Sequence, residues 1–534
     1  MRLDKVYIDG FKNLKHLEVD FDEQKLTTVL IGQNGAGKSN LIEAITQVFR
    51  WVDLRRQEPR FQYRVDYRIQ PPEHIVSEPA RITLSNLPGE PAILVNGKEV
   101  KRNEFEKRKE EWFPDLVFGY YSGGSRRLES LFDSHQRRYY DAIKLEDSLS
   151  VFKSAQQARR LFYCRPIHGV LALMALFAFP DRKLTEELSS KLGISGFHSL
   201  LAHFREPWFA RSKKADERLP QNFWGAAGPA GRTAHQFKEM AFHPLALEGN
   251  AIDDYRDKQQ TESQYATFLP SFDHLLRFAS GFQSERDMFY ALEAMDISDL
   301  IREMLVWVTR QDDVTGDVGF ADLSDGERQL LMVLGLIRVS RGKRALFLLD
   351  EPDTHLNPHW QHSYLKLIED WTGIAADVDK CHIILTSHNP LTISALTRDE
   401  VRIITQGQDG RVEAVAPYAD PKGMGFTSTL TEIFGLPTSL DVETQSLVDE
   451  RNALTHLMTK SDEQERQLIA INDKLARLGF LFEDREPLYQ AFLRAWHDVR
   501  YADRPPLTPT QIEARHVAMK ALIQRLISTE QEPT

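Results

Sequence analysis

The run Gly32-Gln33-Asn34-Gly35-Ala36-Gly37-Lys38-Ser39 sets glycines, a lysine and a hydroxyl side by side. Glycines let successive backbone N–H groups close around an anion, lysine neutralises phosphate charge, and a serine hydroxyl is a hard ligand for magnesium. Every position of the phosphate-binding loop pattern is filled. Asn34, Gly35, Ala36, Gly37, Lys38, Ser39 and Asn40 are therefore the candidates to hold the phosphates of ATP, with Ser39 also a ligand for Mg2+. Far along the chain, the apolar run Ala345 to Leu349 ends in Asp350-Glu351-Pro352. An acid at the end of a buried strand sits where ligands of open α/β sheets collect, so Asp350 is the second candidate for the metal. Glu351 is placed to orient or deprotonate an attacking water, the remaining chemical need of phosphoryl transfer. His388 follows the apolar strand Ile383-Ile384-Leu385 and can hydrogen-bond a γ-phosphate. A histidine at a strand end is by itself more often structural; its place after the other motifs favours the chemical role.

A further segment, Leu323-Ser324-Asp325-Gly326-Glu327-Arg328-Gln329, lies shortly before the Asp350 strand. Ser324 is a good N-cap and Glu327, three residues on, completes a capping box. Leu330, Leu331, Val333, Leu334 and Ile337 continue as a helical apolar face. Two readings stand: a well-capped helix, or a helix N-terminus whose Ser324 and Gly326 offer donors to a γ-phosphate bound by another subunit. The elements that must position this chemistry are of α/β type. Leu26 to Ile31 reads as a buried parallel strand broken by Gly32, and the apolar positions from Leu41 to Phe49 recur at helical spacing.

The order of phosphate loop, LSDGE, LLDEPDTHLNP and TSH resembles the ABC-type ATPase superfamily in its chromosome-maintenance, RecF and OLD-like branch. The opening Met1-Arg2-Leu3 through Phe11-Lys12-Asn13-Leu14 resembles the first strand pair of such heads. The resemblance covers roughly residues 1–130 and 300–410. It implies a mixed-sheet head with a β-rich lobe, and two heads that sandwich two ATP molecules, so that the signature of one completes the site of the other. It also implies that Asp353, in Asp353-Thr354-His355-Leu356, belongs to a loop that crosses the dimer interface. One departure stands out: the glutamine that many relatives use to touch magnesium has no match, and Phe118-Gly119-Tyr120-Tyr121-Ser122-Gly123-Gly124 occupies its region.

The chain has 534 residues, 42% hydrophobic and 27% charged, which fits a globular protein of two or three domains. Its longest apolar stretch, Val170 to Phe179, is too short to span a bilayer, and the first residues start a strand rather than a signal peptide. Two cysteines, Cys164 and Cys381, match no metal spacing and suit a reducing cytoplasm. A net charge of −11 excludes a globally basic nucleic-acid binder. Local basic clusters (Arg55 to Arg68, Lys101 to Lys109, Arg126-Arg127 and Arg137-Arg138), interleaved with tyrosines, read either as a solvated face or as a phosphate-tracking surface for a nucleic acid such as DNA.

Four regions are expected. Residues 1–133 form the N-terminal part of the head, with short strands at Tyr63–Ile69, Ala80–Leu84 and Ala92–Val95, a hairpin at Asn96-Gly97, a charged helix at Asn103–Trp112 and a strand near Leu116–Tyr121. Residues 134–300 form a mainly helical insertion, with a loop at 209–235. Residues 301–420 form the second part of the head. Residues 421–534 form a helical interaction region that docks a partner or packs on its own head, with breaks at Asn452, Ser461 and Asp462 and a last helix from Thr510 to Ile527.

No nuclease motif follows His388. The compact head, the segment Gly119 to Gly123, and Asp484-Arg485-Glu486-Pro487-Leu488-Tyr489 resemble Septu-type ATPase subunits (the PtuA family) of bacterial anti-phage systems, which also occur in retron-linked operons. That resemblance implies a homodimer or higher even oligomer and a separate HNH endonuclease under its control, and it admits DNA or retron nucleic acid as a partner. The alternatives are a RecF-like repair ATPase acting on DNA ends or gaps, and a scaffold in which ATP serves as structural glue.

Overall fold

The computed structural model describes residues 1–22, 24–72, 74–75, 78–144, 148–214, 216–251, 261–311, 315–374, 379–407, 410–436, 438–457, 460–478, 518 and 521. It divides into two compact units, Met1–Ser439 and Leu440–Thr534. The expected Asp484–Tyr489 motif lies outside the described residues, as does nearly all of the expected last helix.

The first unit is built on a seven-stranded mixed sheet. Its strands run, in spatial order, Val412–Val415, Val401–Gln406, Thr27–Ile31, Cys381–Thr386, Ala345–Asp350, Leu116–Tyr121 and Leu161–Tyr163. Every neighbouring pair is parallel except the one made by Val412–Val415. Successive side chains of a strand point to opposite faces, and here both faces are covered. Val29, Ile31, Phe347, Leu349, Ile383 and Leu385 join one core; Leu30, Leu346, Leu348 and Ile384 join the other. Burial on both faces explains why these strands read as unbroken apolar runs.

One face carries the helix Lys38–Leu54 and a six-stranded antiparallel sheet. That sheet pairs Arg2–Asp9 with Leu17–Asp20 on one side and Gln62–Ile69 on the other, then continues through Ala80–Ser85, Ile93–Val95 and Lys98–Glu99. Positive φ at Asn96 (50°) and Gly97 (76°) gives the expected tight hairpin. The expected helix over Asn103–Trp112 is two, Arg102–Lys107 and Lys109–Trp112, because Arg108 leaves helical geometry.

The other face carries Ile167–Ala178, buried nearly all round, and the helix Asp325–Val339. Region 134–300, expected to be mainly helical, carries strands as well as helices. This stretch contributes three strands, Ile194–Arg205, Phe242–Asn250 and Thr261–Leu269, to a five-stranded antiparallel sheet completed by Ile301–Arg310 and Val318–Gly319. Nor is 209–235 one loop. Phe223 and Trp224 are fully buried anchors, and a helix starts at Gly228, with Pro229 in its first turn, and runs to Met240.

In the second unit, helices Val442–His456 and Asp462–Arg477 pack through Leu454, Ile471 and Leu475. Ser461 caps the second helix as expected; Asn452 lies inside the first and breaks nothing.

Candidate functional site

The parallel strands Thr27–Ile31, Ala345–Asp350 and Cys381–Thr386 end at one edge of the sheet, and the loops that follow them converge there. A cavity of about 410 Å³ at this edge is lined by Asn34, Gly35, Gly37, Lys38, Ser39, Asn40, Arg127, Glu351 and His388. The loop around it is shaped by what its glycines exclude. A Cβ on Gly32 would lie 2.2 Å from the Ile404 carbonyl oxygen, and one on Gly37 would lie 2.5 Å from Leu14 Cδ2. Gly37 has φ 109° and sits immediately before the helix that opens at Lys38, so the helix N-terminus points into the cavity. From the first strand pair, Asn13 Nδ2 donates to the Gly35 carbonyl at 2.7 Å and Asn13 Oδ1 accepts from Asn40 Nδ2 at 2.7 Å. Asn13 thus holds the loop open from outside.

Lys38 Nζ donates to the carbonyls of Gly32 (2.7 Å) and Gln33 (3.2 Å). Burial lowers its pKa, while Glu351 and Asp350 act to raise it. Asp350 is 1% exposed. Its Oδ1 accepts from Ser39 Oγ at 2.8 Å and from Thr386 Oγ1 at 2.6 Å, and its Oδ2 accepts from Arg127 Nη2 at 2.9 Å. Burial pushes the Asp350 carboxyl above its ordinary range, against the pull of Thr386, Ser39 and Arg127. Thr386 Oγ1 also accepts the Glu351 backbone N–H at 2.9 Å. Glu351 is held at φ 54°, a left-handed conformation that a non-glycine residue rarely adopts. Its carboxylate lies 3.4 Å from His388 Nδ1. Strain of this kind persists only where the surroundings over-determine it, and here it turns the Glu351 side chain into the cavity.

A hydroxyl and a carboxylate in direct contact beside a phosphate-type loop form the hard oxygen donor pair that Mg2+ favours, so Ser39 and Asp350 fit the metal.

Other expected residues lie elsewhere. Ser324 caps its helix: Ser324 Oγ accepts from the Glu327 backbone N–H at 3.3 Å, and the Ser324 backbone N–H donates to Glu327 Oε2 at 2.8 Å. Neither Ser324 nor Gly326 lines the cavity. Ala36 is buried beneath the loop rather than facing the cavity. Asp353, which the resemblance sets in a loop that crosses the dimer interface, turns its own side chain inward within the chain. Its carboxylate is 1% exposed and accepts from Ser387 Oγ at 2.6 Å and from Thr392 Oγ1, so it braces the loop from inside.

In the sequence, Arg127, Thr386 and Asn13 stand only within a basic cluster, the TSH motif and the opening strand pair, and their contacts bring them to the site. The expected basic clusters are largely neutralised within the chain. Arg55 pairs with Glu106, Arg64 with Asp66, Arg68 with Asp4, Arg108 with Glu111, Arg126 with Glu129, Arg137 with Asp141 and Arg138 with Asp53.

Comparison with known proteins places the chain among ATPases. The family model described as "AAA ATPase domain" matches residues 1–110, and the one described as "AAA domain, putative AbiEii toxin, Type IV TA system" matches residues 179–394. Septu protein PtuA of Bacillus mycoides is 24% identical over 164 residues, 29% of this chain and 22% of that protein, so the alignment spans about a fifth of that relative's length. The retron Vc95 "probable ATPase" of Vibrio cholerae is 19% identical over 460 residues, 80% of this chain and 78% of that protein. The DNA replication and repair protein RecF of Oceanobacillus iheyensis is 32% identical over 114 residues, 20% of this chain and 28% of RecF. Among solved structures, an SMC head bound to the C-terminal winged-helix domain of ScpA aligns at 13% identity over 78% of this chain and 97% of that chain, with a TM-score of 0.31.

Proposed function

We propose that this ABC-type ATPase, a relative of the Septu and retron ATPases, is the nucleotide-gated subunit of an anti-phage defence system. In this reading two or more copies assemble through their ATP sites and control a separate HNH-type nuclease. The observation that supports the ATP site most strongly is the convergence of Lys38, Ser39, Asp350, Glu351 and His388 on one sheet edge from three separate strands. The defence assignment is supported by the alignment with the retron Vc95 protein over most of both chains.

The backbone N–H groups of Gly35 to Ser39 and the helix N-terminus bind the phosphates. Lys38 exchanges its two carbonyl partners for phosphate oxygens, which are better acceptors for an ammonium. Ser39 and Asp350 hold Mg2+, which when bound neutralises charge on the phosphate oxygens. Glu351 accepts a proton from, or orients, the water that attacks; His388 positions that carboxylate and reads the end of the phosphate chain. Ser324 and Gly326, outside their own chain's cavity, are left to face the site of another copy.

Lys38→Ala should lower ATP affinity by about 100-fold, and Glu351→Gln should keep binding while cutting turnover by about 100-fold or more. Nucleotide-binding titration and phosphate release would read these out, and wild-type affinity in the Lys38 variant would refute the site. Isolation of the chain from its native operon with a nuclease subunit attached is expected; isolation with only itself counts against the defence reading.

A second reading, a RecF-like ATPase on DNA ends or gaps, draws on the local identity to RecF. ATP-dependent binding to gapped DNA, with no nuclease neighbour, would favour it.

A further inference from the structure

The strand Leu116–Tyr121 runs beside Ala345–Asp350, with Tyr121 in register with Asp350. Beyond Tyr121 the chain turns back over the tyrosine ring. Ser122 N–H donates to the Asp350 carbonyl at 3.2 Å, and Gly123 lies so close that a Cβ there would be 2.2 Å from Tyr121 Oη. This fold-back delivers Arg127 to the site. Its guanidinium lies 4.7 Å from the Tyr121 ring centroid and donates to Asp350 Oδ2 at 2.9 Å. Asp350 is deeply buried and Arg127 about one third exposed, so the pair spans the boundary between core and cavity. The carboxylate's other oxygen is already shared by Ser39 and Thr386. A cation that ligates Asp350 must therefore displace a charge already paired with it.

We propose that Arg127 is a built-in counter-cation that reserves Asp350, so that this carboxylate takes a divalent metal only when the metal arrives with a triphosphate. Resting on the ATP-site reading above, the idea goes beyond it by giving Arg127 a role in the order of binding. The guanidinium suppresses binding of free metal. Its release from Asp350 when the site fills frees the segment Ser122–Arg127, so that segment reports the state of the site.

Mn2+ titration of the nucleotide-free full-length chain, followed by electron paramagnetic resonance, tests this. Arg127→Gln should bind Mn2+ about fivefold more tightly than wild type, the upper end of what a part-exposed ion pair is worth. Arg127→Lys keeps the charge and should stay near wild type. Tyr121→Leu removes the ring beneath the guanidinium and should fall between them, which keeps the test decisive if Arg127→Gln folds poorly. Equal Mn2+ affinities in wild type and folded variants, including no detectable binding by any, would overturn the proposal. Binding of a fluorescent ATP analogue without metal, compared between wild type and Lys38→Ala, is read in parallel. Loss of that difference would refute the ATP site itself, whatever Arg127 does.

Discussion

At the scale of single residues, the site is organised around Asp350, which accepts from Ser39, Thr386 and Arg127 at once. Thr386 carries two duties: its hydroxyl donates to Asp350 and accepts the Glu351 N–H. Thr386→Val keeps the shape and removes both bonds. It should slow ATP turnover by about tenfold and cost about 1–3 kcal/mol of stability, with nucleotide affinity changed far less; steady-state kinetics and thermal melts would show it. Most of this chemistry was legible in the sequence because phosphate loops and strand-end acids are local patterns, with their geometry set by neighbours in the chain. The roles of Arg127, Thr386 and Asn13, which the motifs and clusters only contained, were not, because each acts through a partner distant in sequence. Thr386 had a local clue, since it is the last residue of the strand preceding His388. Asp353 shows the converse: a motif places a residue in a loop without saying which way the carboxylate points.

Elements place those residues, and the placement of the signature helix is the most sensitive. Asp325–Val339 crosses Ile167–Ala178 at Gly335, where a Cβ would lie 2.8 Å from the Ala172 Cβ. Gly335→Ala should therefore destabilise by about 1–3 kcal/mol despite the better helix propensity of alanine, because overpacking a closed contact forces the helices apart. Ala172→Gly in the same chain should recover part of the loss, as denaturant unfolding would reveal. The same helix is tied to the loop after Asp350, since Gln329 Oε1 accepts from the His355 N–H at 3.3 Å and its Nε2 donates to Tyr120 Oη at 3.0 Å. At this scale the parallel strands could be read from sequence, being buried on both faces, and so could the helices around them. The five-stranded sheet could not. Its longest strand, Ile194–Arg205, shifts register between Ile194 and Gly196 and between Phe197 and Ser199, which breaks the two-residue alternation that identifies a strand.

Across the whole first unit, one buried carboxylate ties several elements together. Asp53, at the end of the phosphate-loop helix, contacts His135 Nε2 at 2.8 Å, Arg138 Nη2 at 2.8 Å and Lys109 Nζ at 3.0 Å. Burial acts to raise its pKa, but the His135 hydrogen bond and the Lys109 and Arg138 charges outweigh it and hold the carboxyl well below the usual range. A depressed native pKa adds stability that is fully present above the unfolded value near 4 and is lost as pH falls toward the native one. Asp53→Asn should cost about 3–5 kcal/mol at neutral pH, and its deficit should shrink as the pH drops below about 4; unfolding measured from pH 7 to 3 would track it. The assembly of copies belongs to this scale, and it carries the central proposal that one chain's signature completes another's ATP site. The most direct test is the mass in solution of Glu351→Gln with ATP and Mg2+, alone and combined with Ser324→Arg. Doubling of the mass by ATP in the first, abolished in the second, is the expected result; a mass unmoved by ATP, or a dimer indifferent to Ser324→Arg, would contradict it.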